Sequence, residues 1–290
     1  MRGPLALPAA LLLALAVSGS ARADESVPTP PLAPPAPPVS LPRRLGNELV
    51  SDFKWSVNNI EADGEDLVKS PCHIPELVQD PTFYWTTLAT GAALGASFGL
   101  DEPARRAFRE ISHDDAGSLE RAGNAFLWTA TGALYLYGFV ADEQRARQYA
   151  LTGLLSTAIS EGITSALKVT FGRLRPNQGQ GHWKWFDGGS SFVSSAATPA
   201  FALAATVSEY ADNRWYVALP AYTAAASVGL GRMGHDAHWL SDILGSGLVG
   251  VGTTEVLLHM HALHGADPRR YRIFPVAVRG GAGLGVSVAF

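Results

Sequence analysis

Hydrophobic and polar positions along this chain fall mainly into long helical runs, with strand-like segments only at its C-terminal end. Leu5 to Val17 is an apolar run, preceded by Arg2 and followed by the small-residue site Ala21-Arg22-Ala23. That pattern marks residues 1–23 as an export signal. Residues 24–43 are dense in proline (Pro28, Pro30, Pro31, Pro34, Pro35, Pro37, Pro38, Pro42) and read as a semi-rigid linker. In residues 44–79 the apolar positions are irregularly spaced, which predicts short helices and loops packed on the domain that follows.

Asp80-Pro81, an N-cap followed by proline at the first helical position, opens a helical domain over residues 80–266. Phe83 to Leu100 is uncharged, with Gly91, Gly95 and Gly99 on one close-packing face. Asp101 to Gly123 is charged and reads as a solvated amphipathic helix with its connection. Ala122 to Ala141 is again uncharged. Asp142 is expected to cap a helix that runs through Leu151, Leu154, Leu155, Ile159 and Ile163 to about Phe171, where Gly172 ends it. Further helices are expected over Ser194–Tyr210, Trp215–Leu230 and from His238 to about His264. Ile273–Val278 and Leu284–Phe290 are β-rich and flank Arg279-Gly280-Gly281-Ala282-Gly283, predicting a terminal hairpin in the tail 267–290. The expected fold class is all-α, a helical bundle with a short C-terminal β-hairpin.

Composition narrows the function classes. The chain has 290 residues, of which 47% are hydrophobic and 17% charged, enough for one sizeable core. A net charge of -4 gives no support to a nucleic-acid partner. The single cysteine, Cys72, has no companions for a disulfide or a zinc site, so a zinc site is not expected; no metal and no cofactor is assigned. Three uncharged stretches approach the length needed to span a bilayer, but they are rich in Ala, Gly and Thr, and mean hydropathy is only +0.09. After export the N-terminus would be periplasmic, and three spans before Lys168 would carry that residue to the cytoplasm. The preferred reading is a periplasmic domain, soluble or in peripheral contact with a membrane, over an integral one.

Two stretches carry candidate chemistry. In Gly231-Arg-Met-Gly-His-Asp-Ala-His-Trp-Leu-Ser-Asp242, His238 and Asp242 share one helical face. A carboxylate there can fix the tautomer of His238 and leave its other nitrogen free to attack, while Arg232 brings a charged fork to the same pocket. The same residues also suit a helix start with a buried, satisfied histidine and a surface arginine. Upstream, Lys168-Val-Thr-Phe-Gly-Arg173-Leu-Arg175-Pro176 places two cations around a helix end. Taken alone, that suits favourable charge at a helix C-terminus as well as an anion site.

In order and spacing, the two stretches resemble the first and third motifs of the type 2 phosphatidic acid phosphatase family, which includes class A acid phosphatases and vanadium haloperoxidases. The resemblance covers roughly Asp80 to His264. It implies a helical bundle with a phosphate pocket at one end, in which Lys168, Arg175 and Arg232 hold the phosphoryl oxygens. His238 would be the nucleophile, forming a phosphohistidine, and Asp242 its orienting partner. The third motif usually opens Ser-Arg; here Gly231 stands for the serine.

The second motif departs further. Where the family has Pro-Ser-Gly-His, this chain has Val193-Ser194-Ser195-Ala196. Ser194 and Ser195, at a helix start, can still bind an anion. Ala196 replaces the family's general acid, whose role is worth typically about 10²–10⁴-fold. The resemblance therefore implies a weak or specialised hydrolase of phosphate esters or lipid (pyro)phosphates. The alternative is a non-catalytic phosphate- or phospholipid-binding protein. His235 and His182 are candidate substitute acids, each equally at home in packing. Trp183 and Trp185, near the expected pocket mouth, suit packing first and a lipid or aromatic leaving group second.

Overall fold

The structure is a computed structural model that describes residues 41–69, 81–265, 271–278 and 281–288. The export signal, almost all of the proline-rich linker, Cys72 and the Asp80 cap lie outside these residues. The described helices are α1 (Leu41–Lys69), α2 (Pro81–Gly99), α3 (Asp101–Phe108), α4 (His113–Val140), α5 (Gln144–Phe171), α6 (Ala197–Tyr210), α7 (Trp215–Gly234) and α8 (Leu240–Gly265). Beyond them, β1 (Tyr271–Val278) pairs antiparallel with β2 (Gly281–Val288), from Tyr271 opposite Val288 to Val278 opposite Gly281.

Helix α6 is the centre of the bundle and touches α4, α5, α7 and α8. Its sequence, Ala-Thr-Pro-Ala-Phe-Ala-Leu-Ala-Ala-Thr-Val-Ser-Glu-Tyr, is mostly small, so its neighbours approach closely. On α8, a Cβ built at Gly250 would lie 2.4 Å from the carbonyl oxygen of Thr198, a contact only glycine permits. Leu127, Leu203 and Val228 fill the centre with Ala200, Ala204, Ala221 and Ala225. Burying each of the larger side chains is worth about 1.5–3 kcal/mol. Interior hydroxyls find partners: Ser156 bonds Thr254 at 2.6 Å, and Thr164 donates to Thr198 at 3.3 Å.

Local chemistry sets the start of α4 and the end of α5. Ser112 accepts a hydrogen bond from the Asp115 N–H at 3.1 Å and starts α4 there, so the charged stretch after Asp101 divides between α3 and the first turns of α4. The uncharged run Ala122–Ala141 is the later part of that one helix. Glu143, not Asp142, holds the N-cap position of α5; Asp142 turns the chain with a φ of 57°. Gly172 ends α5 in the left-handed region, its N–H bonded to Lys168 O.

Residues 44–63 depart most from expectation: they form one continuous helix, with polar rather than apolar residues against the bundle. Asp52 pairs with Arg147 at 3.1 Å, Asp63 with His261 at 2.8 Å, and Arg44 with Asp142 at 3.1 Å. Arg147 and His261 lie near the start of α5 and the end of α8. Helix α1 thus packs at the end of the bundle away from Lys168 and His238. Among the described residues, one stretch, Leu240–His261, is long and apolar enough to cross a membrane.

Candidate active site

Three helix ends and one loop meet at the other end of the bundle: the last turn of α5, the segment 172–196, the last turn of α7 and the start of α8. Arg173 is their hub. It is fully buried, with Nη2 2.5 Å from Asp101 Oδ2 and Nη1 2.5 Å from Asp242 Oδ1. It also donates to Ser241 Oγ at 2.7 Å and to the carbonyl of His182 at 2.9 Å. The rings of Phe98, Trp185 and Trp239 surround its guanidinium, Trp185 at 4.6 Å. A buried charge persists only with partners of this quality. Burial pushes the Asp101 carboxyl up, against the pull of Ser241 and Arg173. This hub was not assigned from sequence, although Arg173 sits inside the first motif; only the fold brings Asp101 to it.

His238 is 3% exposed, and its Nδ1 lies 2.8 Å from the carbonyl oxygen of Ser191. A carbonyl only accepts, so Nδ1 carries the proton and Nε2 keeps its lone pair. The expected direct bond from Asp242 is not made: Asp242 Oδ2 lies 3.8 Å from Nδ1, beyond hydrogen-bond range. Its carboxylate is taken up by Arg173, the Ser191 hydroxyl and the Trp239 N–H. Asp242 therefore holds the segment whose carbonyl orients the imidazole. Burial lowers the His238 pKa, the Asp242 carboxylate opposes that, and Arg232 and Arg175 add to the lowering. Burial works to raise Asp242, but His238, Arg173 and Ser191 outweigh it and hold the carboxyl below its ordinary value.

Lys168, Arg175 and Arg232 converge on the same space. Burial lowers the Lys168 pKa; Glu161 opposes it, and the charges of Arg175 and Arg232 lower it further. Lys168 Nζ donates to the Ser195 hydroxyl. Among the described residues, the Nε atoms of Arg175 and Arg232 are buried without a hydrogen-bond partner. Arg232 Nη1 stands 3.5 Å from Glu120. Two unpartnered guanidinium donors beside a lysine suit an anion with several oxygens.

The other candidates sit differently. The Ser194 N–H is spent on Ser246 Oγ at 2.8 Å, and the Ser194 hydroxyl accepts weakly from Ala197 N–H at 3.4 Å. Ser194 thus packs just before α6, and among the described residues Ser195 alone of the pair meets a cation. The His182 ring packs tilted against Trp183 and edge-on to Trp239, with Nδ1 3.7 Å from Glu102. The His235 ring lies 5.4 Å from that of His113, toward the start of α4. Among the described residues, these contacts do not include Lys168, Arg175, Arg232 or His238. Trp185 packs on Phe171, Phe192 and Phe98, whereas Trp183 is largely exposed. Ala196 packs against the central cluster at the head of α6. No group of three or more metal-ligating side chains occurs among the described residues.

Residues 149–265, which carry Lys168, Arg173, Arg175, Arg232, His238 and Asp242, match the family model of the PAP2 superfamily. A curated relative, the lipid A 1-phosphatase of Porphyromonas gingivalis, is 27% identical over 185 residues. That match covers 62% of this chain and 39% of the relative, so the chain spans well under half of the relative's length. A crystal structure of a transmembrane PAP2 type phosphatidylglycerolphosphate phosphatase from Bacillus subtilis aligns with a TM-score of 0.44 at 18% identity. The alignment covers 62% of this chain and 94% of that one.

Proposed function

We propose that the protein hydrolyses phosphate esters or diphosphates through a phosphohistidine on His238, with lipid phosphates as the natural substrate class. The observation that carries this reading is His238, held by the Ser191 carbonyl, beside two arginines whose Nε donors lack partners among the described residues. His238 Nε2 forms a bond to phosphorus while the bond from phosphorus to the leaving oxygen breaks and takes its electron pair with it. Lys168, Arg175 and Arg232 hold the non-bridging oxygens and stabilise the charge that develops. Water then attacks phosphorus, the N–P bond breaks, and phosphate leaves a neutral imidazole behind. The name of the Porphyromonas relative supports a lipid substrate. The apolar exterior supports contact with lipid: Val140, Val169, Trp215 and Leu219 are well exposed.

Ala196 sets the limits of this chemistry, because a methyl group neither protonates a leaving oxygen nor activates water. Good leaving groups, aryl phosphates and diphosphates, should therefore react far better than alkyl phosphates. A second reading, a phosphate- or phospholipid-binding protein without turnover, rests on the same alanine. Hydrolysis of p-nitrophenyl phosphate and an alkyl phosphate, with a His238→Ala control, separates the two. Turnover of the aryl ester, lost in the control, supports the enzyme. Phosphate binding without turnover of either ester supports the binding protein.

A further inference from the structure

Helix α1 divides its circumference into three. Glu48, Asp52, Trp55, Asn59 and Asp63 face the bundle, where Arg147, Tyr135 and His261 receive them. Asn47, Ser51, Lys54, Asn58 and Glu61 are exposed and polar. Leu45, Leu49, Val50, Phe53, Val57 and Ile60 are exposed and apolar, Phe53 at 70%. On a helical wheel of about 100° per residue the three sets fall in separate sectors. A helix that needed only to pack on a water-soluble bundle would turn its apolar sector inward. Here the bundle offers a buried arginine and a histidine to the polar sector instead, and leaves the apolar one outside.

We propose that α1 lies in the plane of a lipid–water interface, at the end of the bundle away from His238, with its apolar sector in the acyl region and its Lys54–Asn58–Glu61 sector in water. This rests on the lipid contact inferred above but not on catalysis. The apolar sector continues onto the neighbouring end of α4, where Leu136, Tyr137 and Val140 are exposed and where Arg44 reaches the Phe139 carbonyl. A second copy of the chain would cover one patch. The exposed apolar residues instead run on around α5, α7 and α8 at Val169, Leu219 and Val256, as an apolar solvent allows. Nor is α1 itself a span, since Arg44, Glu48, Asp52, Lys54, Glu61 and Asp63 interrupt it.

The test places an environment-sensitive fluorophore on single cysteines at Phe53→Cys, Ile60→Cys or Asn58→Cys, in full-length protein carrying Cys72→Ser, reconstituted with phosphatidylcholine–phosphatidylglycerol vesicles. Expected is a blue shift at positions 53 and 60 with loss of most emission to lipids bearing an acyl-chain nitroxide, and little change at 58. Equal responses at all three positions, or none at 53 and 60, would overturn the proposal. So would a blue shift that appears without vesicles and grows with protein concentration, which marks a second copy. Two apolar positions guard against one misfolded variant. Hydrolysis of p-nitrophenyl phosphate by the same samples reports separately on the catalytic reading: quenching without turnover leaves α1 at the interface and removes the enzyme.

Discussion

At the scale of single residues, a histidine attacks phosphorus only while neutral, and burial works in that direction at His238. Its folded pKa lies below the ordinary value of about 6.5, so protonation begins later as pH falls. The rate of phosphoryl transfer from p-nitrophenyl phosphate should hold across neutral pH and decline only below that ordinary value. A decline centred at or above it would show that the buried imidazole is not the group that titrates. The sign for stability is the same: with the folded pKa depressed, the contribution of His238 is present above the unfolded value and lost as pH falls through the folded one. Arg173 and Arg232 should separate stability from binding. Arg173→Met leaves the buried Asp101 and Asp242 carboxylates without their counter-charge, and loss of one partner from such a set costs about 3–5 kcal/mol. Arg232 is partly exposed, so Arg232→Ala should leave stability within about 1 kcal/mol while removing phosphate binding. Equal denaturation midpoints for wild type and Arg173→Met would show that the hub does not hold the site together.

Among the elements, α1 gives the sharpest expectation. Arg147 is buried beneath it, bonded to Asp52 at 3.1 Å and to the Gly138 carbonyl at 2.9 Å. Arg147→Ala should release α1 to protease within residues 44–63 while α4 to α8 stay resistant and p-nitrophenyl phosphate turnover persists. Unchanged protection of α1 would mean that its other contacts suffice to dock it. The same helix shows what the amino-acid pattern could and could not tell. Periodicity places helices by an apolar inward stripe, so α5, α7 and α8 were legible to within a few residues at most ends. In α1 the inward stripe is polar and the apolar one faces out, and that inversion hid the helix. Local rules did better at turns: Gly172 ends α5 because its backbone is left-handed there. In the site, motif spacing brought Lys168, Arg175, Arg232 and His238 together, but it could not give the Ser191 carbonyl as the imidazole's partner. A backbone oxygen leaves no residue type to recognise.

For the molecule as a whole, the two chemical halves of the proposed reaction are unequally equipped. The first half, transfer to His238, draws on a preset tautomer and three cations. The second half needs a base to activate water, and Ala196, the N-cap residue of α6, stands where that group is expected. Water attack should therefore be slower than transfer from a good leaving group, and phosphohistidine should accumulate. With p-nitrophenyl phosphate, one equivalent of p-nitrophenol per active site should appear in a rapid burst, followed by slow turnover. The phosphoenzyme should be stable to alkali and labile to acid, as phosphorus bound to an imidazole nitrogen is. Ala196→His then tests the cause. Where the new imidazole reaches the leaving oxygen, alkyl phosphate turnover should rise by up to about 10²–10⁴-fold and the burst should flatten toward a linear course. The larger side chain enters the packing around Leu127, Ala200 and Val228, at a cost of about 1–3 kcal/mol in stability. A linear course in the unmodified protein, with both esters turned over equally, would mean that another group already activates water. His235 and His182 would then be the side chains to replace, despite contacts that turn them toward His113 and Trp239.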